Sequence, residues 1–277
     1  MARPWQRLFL ALSALSFGAA PALANPVDKG IGLQDPATEI MRRIEGFHNG
    51  ILLWTCILIV AFVLVLLLWI MIRYNARANP TPATFTHSTL LEIVWTAVPV
   101  LILVAIAFQS FPLLAYEERI PENVDLTVKA TGSQWYWDYE YPDNGGFSFT
   151  SKMLEKDKAQ AAGAPWLLAT NEPIYLPVGK TIKVIITAAD VIHSWTVPAF
   201  GVKKDAVPGR LNAVWFKPEK EGVFYGQCSE LCGAKHAFMP IEVHVVSEAA
   251  FNSWVEGMKQ KFGALDQSRA TDVADAR

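Results

Sequence analysis

The chain has 277 residues, 52% of them apolar, with 24 basic and 26 acidic side chains. So even a charge balance excludes the basic face that nucleic-acid binding needs, and three cysteines exclude a disulfide-framed fold. A mean hydropathy of +0.24 is high for a soluble protein and directs attention to membrane segments.

Residues 1–24 read as a signal peptide. Arg3 and Arg7 make a positive start, "LFLALSALSFGAA" is the apolar centre, and Ala22-Leu23-Ala24 is a small-x-small cleavage site, so the mature chain is expected to begin near Asn25. An uncleaved anchor helix is the alternative, but the apolar run is short for a span.

Residues 25–116 form an N-terminal segment and a predicted transmembrane hairpin, with spans at about 50–72 and 93–116. The first, Gly50 to Ile72, is 23 residues without a charge and stops at Arg73. The second, Ile93 to Tyr116, is 24 residues long and contains Pro99 and Pro112, which a span tolerates where neighbouring protein satisfies the freed carbonyls. Trp54, Trp69, Trp95 and Tyr116 lie near the ends, as interfacial aromatics do. The loop 73–89 carries Arg73, Arg77 and His87 and no acid, so it should stay inside, with everything after residue 117 exported. Cys56, within the first span, reads as a small packing residue. Glu92 sits at the inner mouth of the second span. By position alone it is a snorkelling acid near a helix N-terminus, although a carboxylate at that depth also suits a proton path.

Residues 117–248 should fold as an all-β domain. Short β-branched and aromatic runs at 124–130, 134–141, 147–150, 174–178, 181–188, 193–197, 212–218, 222–228 and 241–246 alternate with turn signals such as "PDNGG" and "PGR". Many short strands at this spacing predict a β-sandwich or Greek-key barrel. Residues 151–170 read as a loop or short helix. In 249–277 a helix over 248–262 is followed by a polar, flexible tail.

The chemistry concentrates in "GQCSELCGAKHAFMP", residues 226–240, where Cys228, Cys232, His236 and Met239 fall within twelve positions. A disulfide across so small a loop stabilises little and leaves the histidine and methionine unused. Zinc does not usually take methionine, and a nucleophilic cysteine leaves the second thiol without a role. Copper accepts thiolate, imidazole and thioether together. A one-copper site needs a single cysteine, so two suggest sulfurs bridging two coppers, with a second histidine supplied from elsewhere. His193 opens a strand after a polar turn and suits that role better than His244, which sits mid-strand. On chemistry alone the two-copper reading and its rivals stay open.

Taken together, "GQCSELCGAKHAFMP", "HSWTVPAFGVKKDAVPGRLN" and "GSQWYWDYEYP", behind two spans and with "GLQDPATEIM" near the start, closely resemble subunit II of the haem–copper cytochrome c oxidases. The resemblance implies a cupredoxin-like domain holding a dinuclear copper A centre. Its side-chain ligands would be His193, Cys228, Cys232, His236 and Met239, with the backbone carbonyl of Glu230. The Glu230 side chain would bind a magnesium ion shared with the catalytic subunit I. Trp135 would be where electrons arrive from cytochrome c, and Glu140 and Asp190 would belong to an acidic docking patch. Glu92 would be the proton-channel entrance, reversing the reading from position, and Asp205 and Arg210 would lie over the catalytic subunit. The expected activity is that of an electron-accepting oxidoreductase subunit, which reduces no oxygen alone, in an oxidase with further membrane subunits. The location implied is a Gram-negative bacterial inner membrane, with the copper domain periplasmic. A membrane-anchored copper-delivery protein or a quinol oxidase subunit II are the rival readings. The intact ligand set speaks against the quinol form, and Glu92 with the "WYW" motif against a copper carrier.

Overall fold

The computed structural model describes Pro26 and residues 30–274, with side chains as far as Phe262. The expected signal peptide lies outside the described residues. Two compact units are present.

The first unit, Glu39–Glu122, holds the hairpin. Helix α1 (Glu39–Phe47) passes through a π-helical segment at His48–Leu52, kinked at Gly50, into α2 (Leu53–Arg73). Helix α3 (Thr89–Glu118) follows, with Pro99 and Pro112 inside it. Both helical runs are long and apolar enough to cross a membrane. They extend past the expected spans because hydropathy marks only the apolar stretch, whereas the backbone ladder continues into the polar flanks. Arg43 stacks its guanidinium over the Tyr116 ring, 4.0 Å from its centre, which ties α1 to the end of α3.

The second unit is a two-sheet β-sandwich of the expected cupredoxin-like kind. Its strands are β1 (Leu126–Ser133), β2 (Tyr136–Tyr141), β3 (Phe147–Ser151), β4 (Ile174–Pro177), β5 (Ile182–Ala188), β6 (His193–Val197), β7 (Val202–Ala206), β8 (Asn212–Phe216), β9 (Gly222–Cys228) and β10 (Pro240–Val246). One sheet has the order β3-β2-β1-β5-β8 and the other β4-β10-β9-β6-β7. The pairs β1–β5 and β4–β10 are parallel and the other ladders antiparallel. Strict alternation places Leu126, Val128 and Ala130 of β1 and Ile182, Val184 and Ile186 of β5 in the core. Each of these leucine, valine and isoleucine side chains contributes about 1.5–3 kcal/mol by its burial. Two tyrosines join the sheets. The Tyr139 hydroxyl accepts the indole N–H of Trp195 at 3.2 Å. The Tyr141 hydroxyl donates to the Tyr175 carbonyl at 2.9 Å and accepts the Tyr175 amide at 3.2 Å.

Strand β7 has no counterpart among the expected strands. Its sequence, VKKDA, is charged in the middle, and only Val202 and Ala206 at its ends face inward, as an exposed edge strand permits. Between β3 and β4 lies the short helix α4 (Lys156–Ala161). The last helix, α5 (Glu248–Ala274), continues past Phe262, through a segment with no proline and several good helix formers. Ala37 and Thr38, grouped by sequence with the hairpin, are bonded to the sandwich. The Ala37 amide donates to the Ala199 carbonyl, the Glu219 amide to the Ala37 carbonyl, and the Thr38 hydroxyl to the Phe200 carbonyl.

Candidate metal centre

The cluster forms at one end of the sandwich, where β6 begins and β9 ends. Residues Trp195 and Cys228 are direct cross-strand partners, and the Ser229 amide donates to the Ser194 carbonyl at 3.1 Å. The ladder thereby fixes His193, at the start of β6, beside Cys228, at the end of β9. After Cys228 the chain loops out and returns through a 3-10 turn at His236–Phe238, which delivers Met239 just before β10. Two rigid strands therefore hold both ends of the ligand loop.

His193, Cys228 and Cys232 are buried, and their donor atoms lie within 4.8 Å of one another. The sulfurs of Cys228 and Cys232 are 3.9 Å apart, about twice a disulfide bond, so they are separate thiols. Nδ1 of His193 is 3.9 Å from the Cys228 sulfur, and Nδ1 of His236 is 3.5 Å from the Cys232 sulfur. The Met239 sulfur is 3.6 Å from that of Cys232, and the Glu230 carbonyl oxygen is 3.3 Å from the Cys228 sulfur. Two sulfurs at this separation can both bind one ion at metal–thiolate distances of about 2.3 Å. Thiolate, imidazole and thioether together are a soft donor set of the kind copper prefers. The residues present fit copper.

The electrostatics favour one thiolate before any metal binds. Burial works against ionising Cys228. Hydrogen bonds from His193, from the Glu230 and Ser194 backbone and from His236 outweigh it and bring the thiol down to about 7. Burial and then the neighbouring Cys228 charge push Cys232 up to about 12. Burial opposes charging His193 too, but Cys228 and Asp190 raise it above its ordinary value. Asp190 also resists its burial: the hydrogen bonds from His193, Gln134 and Val191 hold its carboxyl below the usual range.

The other expected residues fall in several places. The Trp135 ring packs against Gly233 in the ligand loop, and the Lys235 ammonium lies 5.9 Å from its centre. Glu230 is exposed, with its carbonyl turned toward Cys228. Glu140 is paired with Lys129, its cross-strand partner, at 3.0 Å. Asp190 points into the centre, its Oδ1 2.9 Å from Nε2 of His193. Glu92 lies in the first turn of α3, and Asp205 and Arg210 are exposed. His244 bonds Glu242 at 2.8 Å and is not among the clustered ligands. Gln134 had no expected role. It donates its side-chain amide to the Cys232 carbonyl at 2.8 Å, a contact between residues 98 positions apart that no local pattern announces.

Two family models match the chain. "Cytochrome C oxidase subunit II, transmembrane domain" covers residues 26–113, and "Cytochrome C oxidase subunit II, periplasmic domain" covers residues 126–246. Among similar proteins, a probable cytochrome c oxidase subunit 2 of Rickettsia prowazekii is 49% identical over 245 residues, 88% of this chain and 77% of that one. Cytochrome c oxidase subunit 2 of Cereibacter sphaeroides is 47% identical over 250 residues, 84% of this chain and 82% of its own. The crystal structure of the periplasmic domain of cytochrome oxidase subunit II from Bradyrhizobium japonicum is similar at 57% identity and a TM-score of 0.49. It covers 52% of this chain and 99% of that one. With its two apolar helices, its β-sandwich and its buried His–Cys–Cys cluster, the chain belongs to the cytochrome c oxidase subunit II family.

Proposed function

We propose that this chain is the electron-accepting subunit of the oxidase, taking electrons from cytochrome c at a dinuclear copper A centre. It hands them to haem in the catalytic subunit, where oxygen is reduced and protons are pumped. The observation that supports this best is the pair of unbonded sulfurs 3.9 Å apart, each with its own imidazole nitrogen alongside.

A dinuclear copper group held by these residues would supply a one-electron acceptor. The chain's residues do the rest. Cys228 and Cys232 would provide two thiolates, His193 and His236 one imidazole each, and Met239 and the Glu230 carbonyl the weaker donors. Met239 and both cysteines are buried, which keeps water from the sulfurs. The paired ends of β6 and β9 hold His193 and Cys228 in one arrangement, so little rearrangement accompanies a change of charge. Trp135, half-buried against the ligand loop, bridges that loop and a docked donor.

The exposed Glu230 carboxylate is the magnesium ligand shared with the catalytic subunit, and Glu92 is the proton-channel entrance. Glu140 and Asp190 attract a basic cytochrome c. Because both carry internal partners, they act through the summed field of the face rather than through direct ion pairs. The chain resides in a bacterial inner membrane with the sandwich in the periplasm.

The test is reconstitution of the purified full-length chain with copper. Two coppers per chain and an electron-spin spectrum with one unpaired electron shared by two copper nuclei are expected. One copper per chain, or an unaltered spectrum in Cys232→Ser, would refute the assignment.

A further inference from the structure

The turn from β1 to β2, Ser133–Gln134–Trp135, is bonded to both ligand-bearing segments by contacts that the ligand set does not require. The Gln134 amide donates to Asp190 Oδ2 at 2.7 Å, and its side-chain nitrogen donates to the Cys232 carbonyl at 2.8 Å. The other Asp190 oxygen accepts from Nε2 of His193 at 2.9 Å and from the Val191 amide at 2.6 Å. Asp190 thus accepts three hydrogen bonds, although its side chain is 35% exposed. The Trp135 ring lies so close to Gly233 that a Cβ there would stand 3.1 Å from Cζ2, and Gly233 has φ +119, a backbone region that disfavours side chains. Loop and turn therefore touch on two sides of one small volume.

We propose that Gln134 and Asp190 form a clamp that seats Trp135 on the Cys232 loop and fixes the orientation and tautomer of His193. Asp190 is then a positioning residue of the metal centre and not simply a docking charge. An imidazole that gives Nδ1 to a metal beside the Cys228 sulfur must carry its proton on Nε2, and Asp190, 2.9 Å away, is the acceptor placed for it. A carboxylate on the outer nitrogen of a ligating histidine locks the ring and raises its basicity, which favours the oxidised metal. The same carboxylate holds the Gln134 amide, and Gln134 holds Cys232. One carboxylate thereby links the ring of one ligand, the backbone of the other and the aromatic packed beside Gly233 of the ligand loop.

The inference rests on the metal-centre reading, and the experiments separate the two. In the copper-loaded full-length chain, Asp190→Asn should shift the oxidised-to-reduced ratio about tenfold toward the reduced form, a rise in potential of about 59 mV, with the copper number unchanged. An unchanged potential combined with an altered salt dependence of electron uptake would make Asp190 a docking charge and overturn the clamp. If the variant holds copper tenfold more weakly while its copper-free form melts like the wild type, that shows the same positioning through binding. Loss of fold in the copper-free variant would make Asp190 merely structural and also overturn it. Gln134→Ala should slow electron uptake at least tenfold with copper number and potential retained; an unchanged rate would remove Gln134 from the clamp. A readout without metal is amide hydrogen exchange at Gln134. It should quicken at least tenfold in copper-free Asp190→Ala, and equal exchange would refute the clamp even where the copper reading holds. A wild-type chain that binds one copper or none would sink the copper reading while leaving this exchange result to judge the clamp.

Discussion

Gly226 is the position where a single methyl group should do most harm. It lies in β9, opposite β6, and has an ordinary backbone conformation, so its need for glycine is purely spatial. A Cβ built there would stand 2.0 Å from the Thr196 carbonyl oxygen and 3.1 Å from Val197 Cγ2, whereas ordinary contacts begin near 3.4 Å. The obstacle is backbone and cannot swing aside. To admit alanine, β6 must withdraw from β9 by roughly 1.4 Å, enough to break the hydrogen bonds of a neighbouring ladder pair. The pairs at stake are Trp195 with Cys228 and Thr196 with Gln227. Overpacking of this kind costs about 1–3 kcal/mol, and each ladder bond lost adds about 0.5–1.5 kcal/mol, so Gly226→Ala should destabilise the sandwich by about 3 kcal/mol. For a domain of this size that lowers the melting temperature by roughly 6–12 °C. The assay is thermal unfolding of the detergent-solubilised chain by near-ultraviolet circular dichroism, paired with copper titration. Because the strands that part carry His193 and Cys228, copper affinity should fall with stability. A variant that melts within 2 °C of wild type and binds copper equally well would refute the reasoning.

Three further outcomes are expected. Cys232 keeps its proton until about 12 and Cys228 until about 7, so copper uptake must displace the Cys232 proton at every pH below 12. Affinity should therefore climb about tenfold per pH unit between about 8 and 11; a flat profile in competition titrations would contradict the inequality of the two thiols. Tyr141→Phe removes the hydroxyl that serves both the carbonyl and the amide of Tyr175, and should cost about 1–3 kcal/mol, read as a lower melting temperature with copper content intact. Trp135→Ala should leave two coppers bound and slow electron uptake from cytochrome c by at least tenfold in stopped-flow mixing; unchanged kinetics would remove Trp135 from its assigned role.

How much of the fold and site shows in the sequence depends on how local the cause is. The spans declare themselves through uninterrupted apolar runs, and β6 and β9 match their expected limits because HSWTV and GVFYGQC are bounded by turns. Strand β7 is missed because Lys203, Lys204 and Asp205 give no apolar alternation, and its pairing with β6 supplies what its own sequence lacks. Spacing alone brings Cys228, Cys232, His236 and Met239 together, since they share one loop. His193 joins them only through sheet pairing, and family resemblance was needed to prefer it firmly. The resemblance marks Asp190 only as a docking acid, and its bond to His193, like the whole role of Gln134, lies beyond both kinds of signal. Their partners are set by how a turn and a loop distant in sequence meet at one end of the sandwich. Glu140 likewise gains Lys129 through strand register, which charge counting along the chain cannot reveal.

The aromatic packing beneath α5 bears on how the chain reaches its folded state. Trp254 meets Tyr141, Phe147 and Tyr175 at ring separations of 5.1, 5.8 and 4.9 Å, so the helix lies across β3 and β4, one terminal strand of each sheet. Edge strands such as these carry unpaired backbone groups, the places where β-proteins join one another in error. The cover is synthesised after every strand it protects. Until Trp254 has emerged, the nascent sandwich presents two adhesive borders on the same side, and chains cut before Glu248 would keep them. A helix at the far end of the sandwich from the His–Cys–Cys cluster thus guards the newly made domain against pairing with its neighbours.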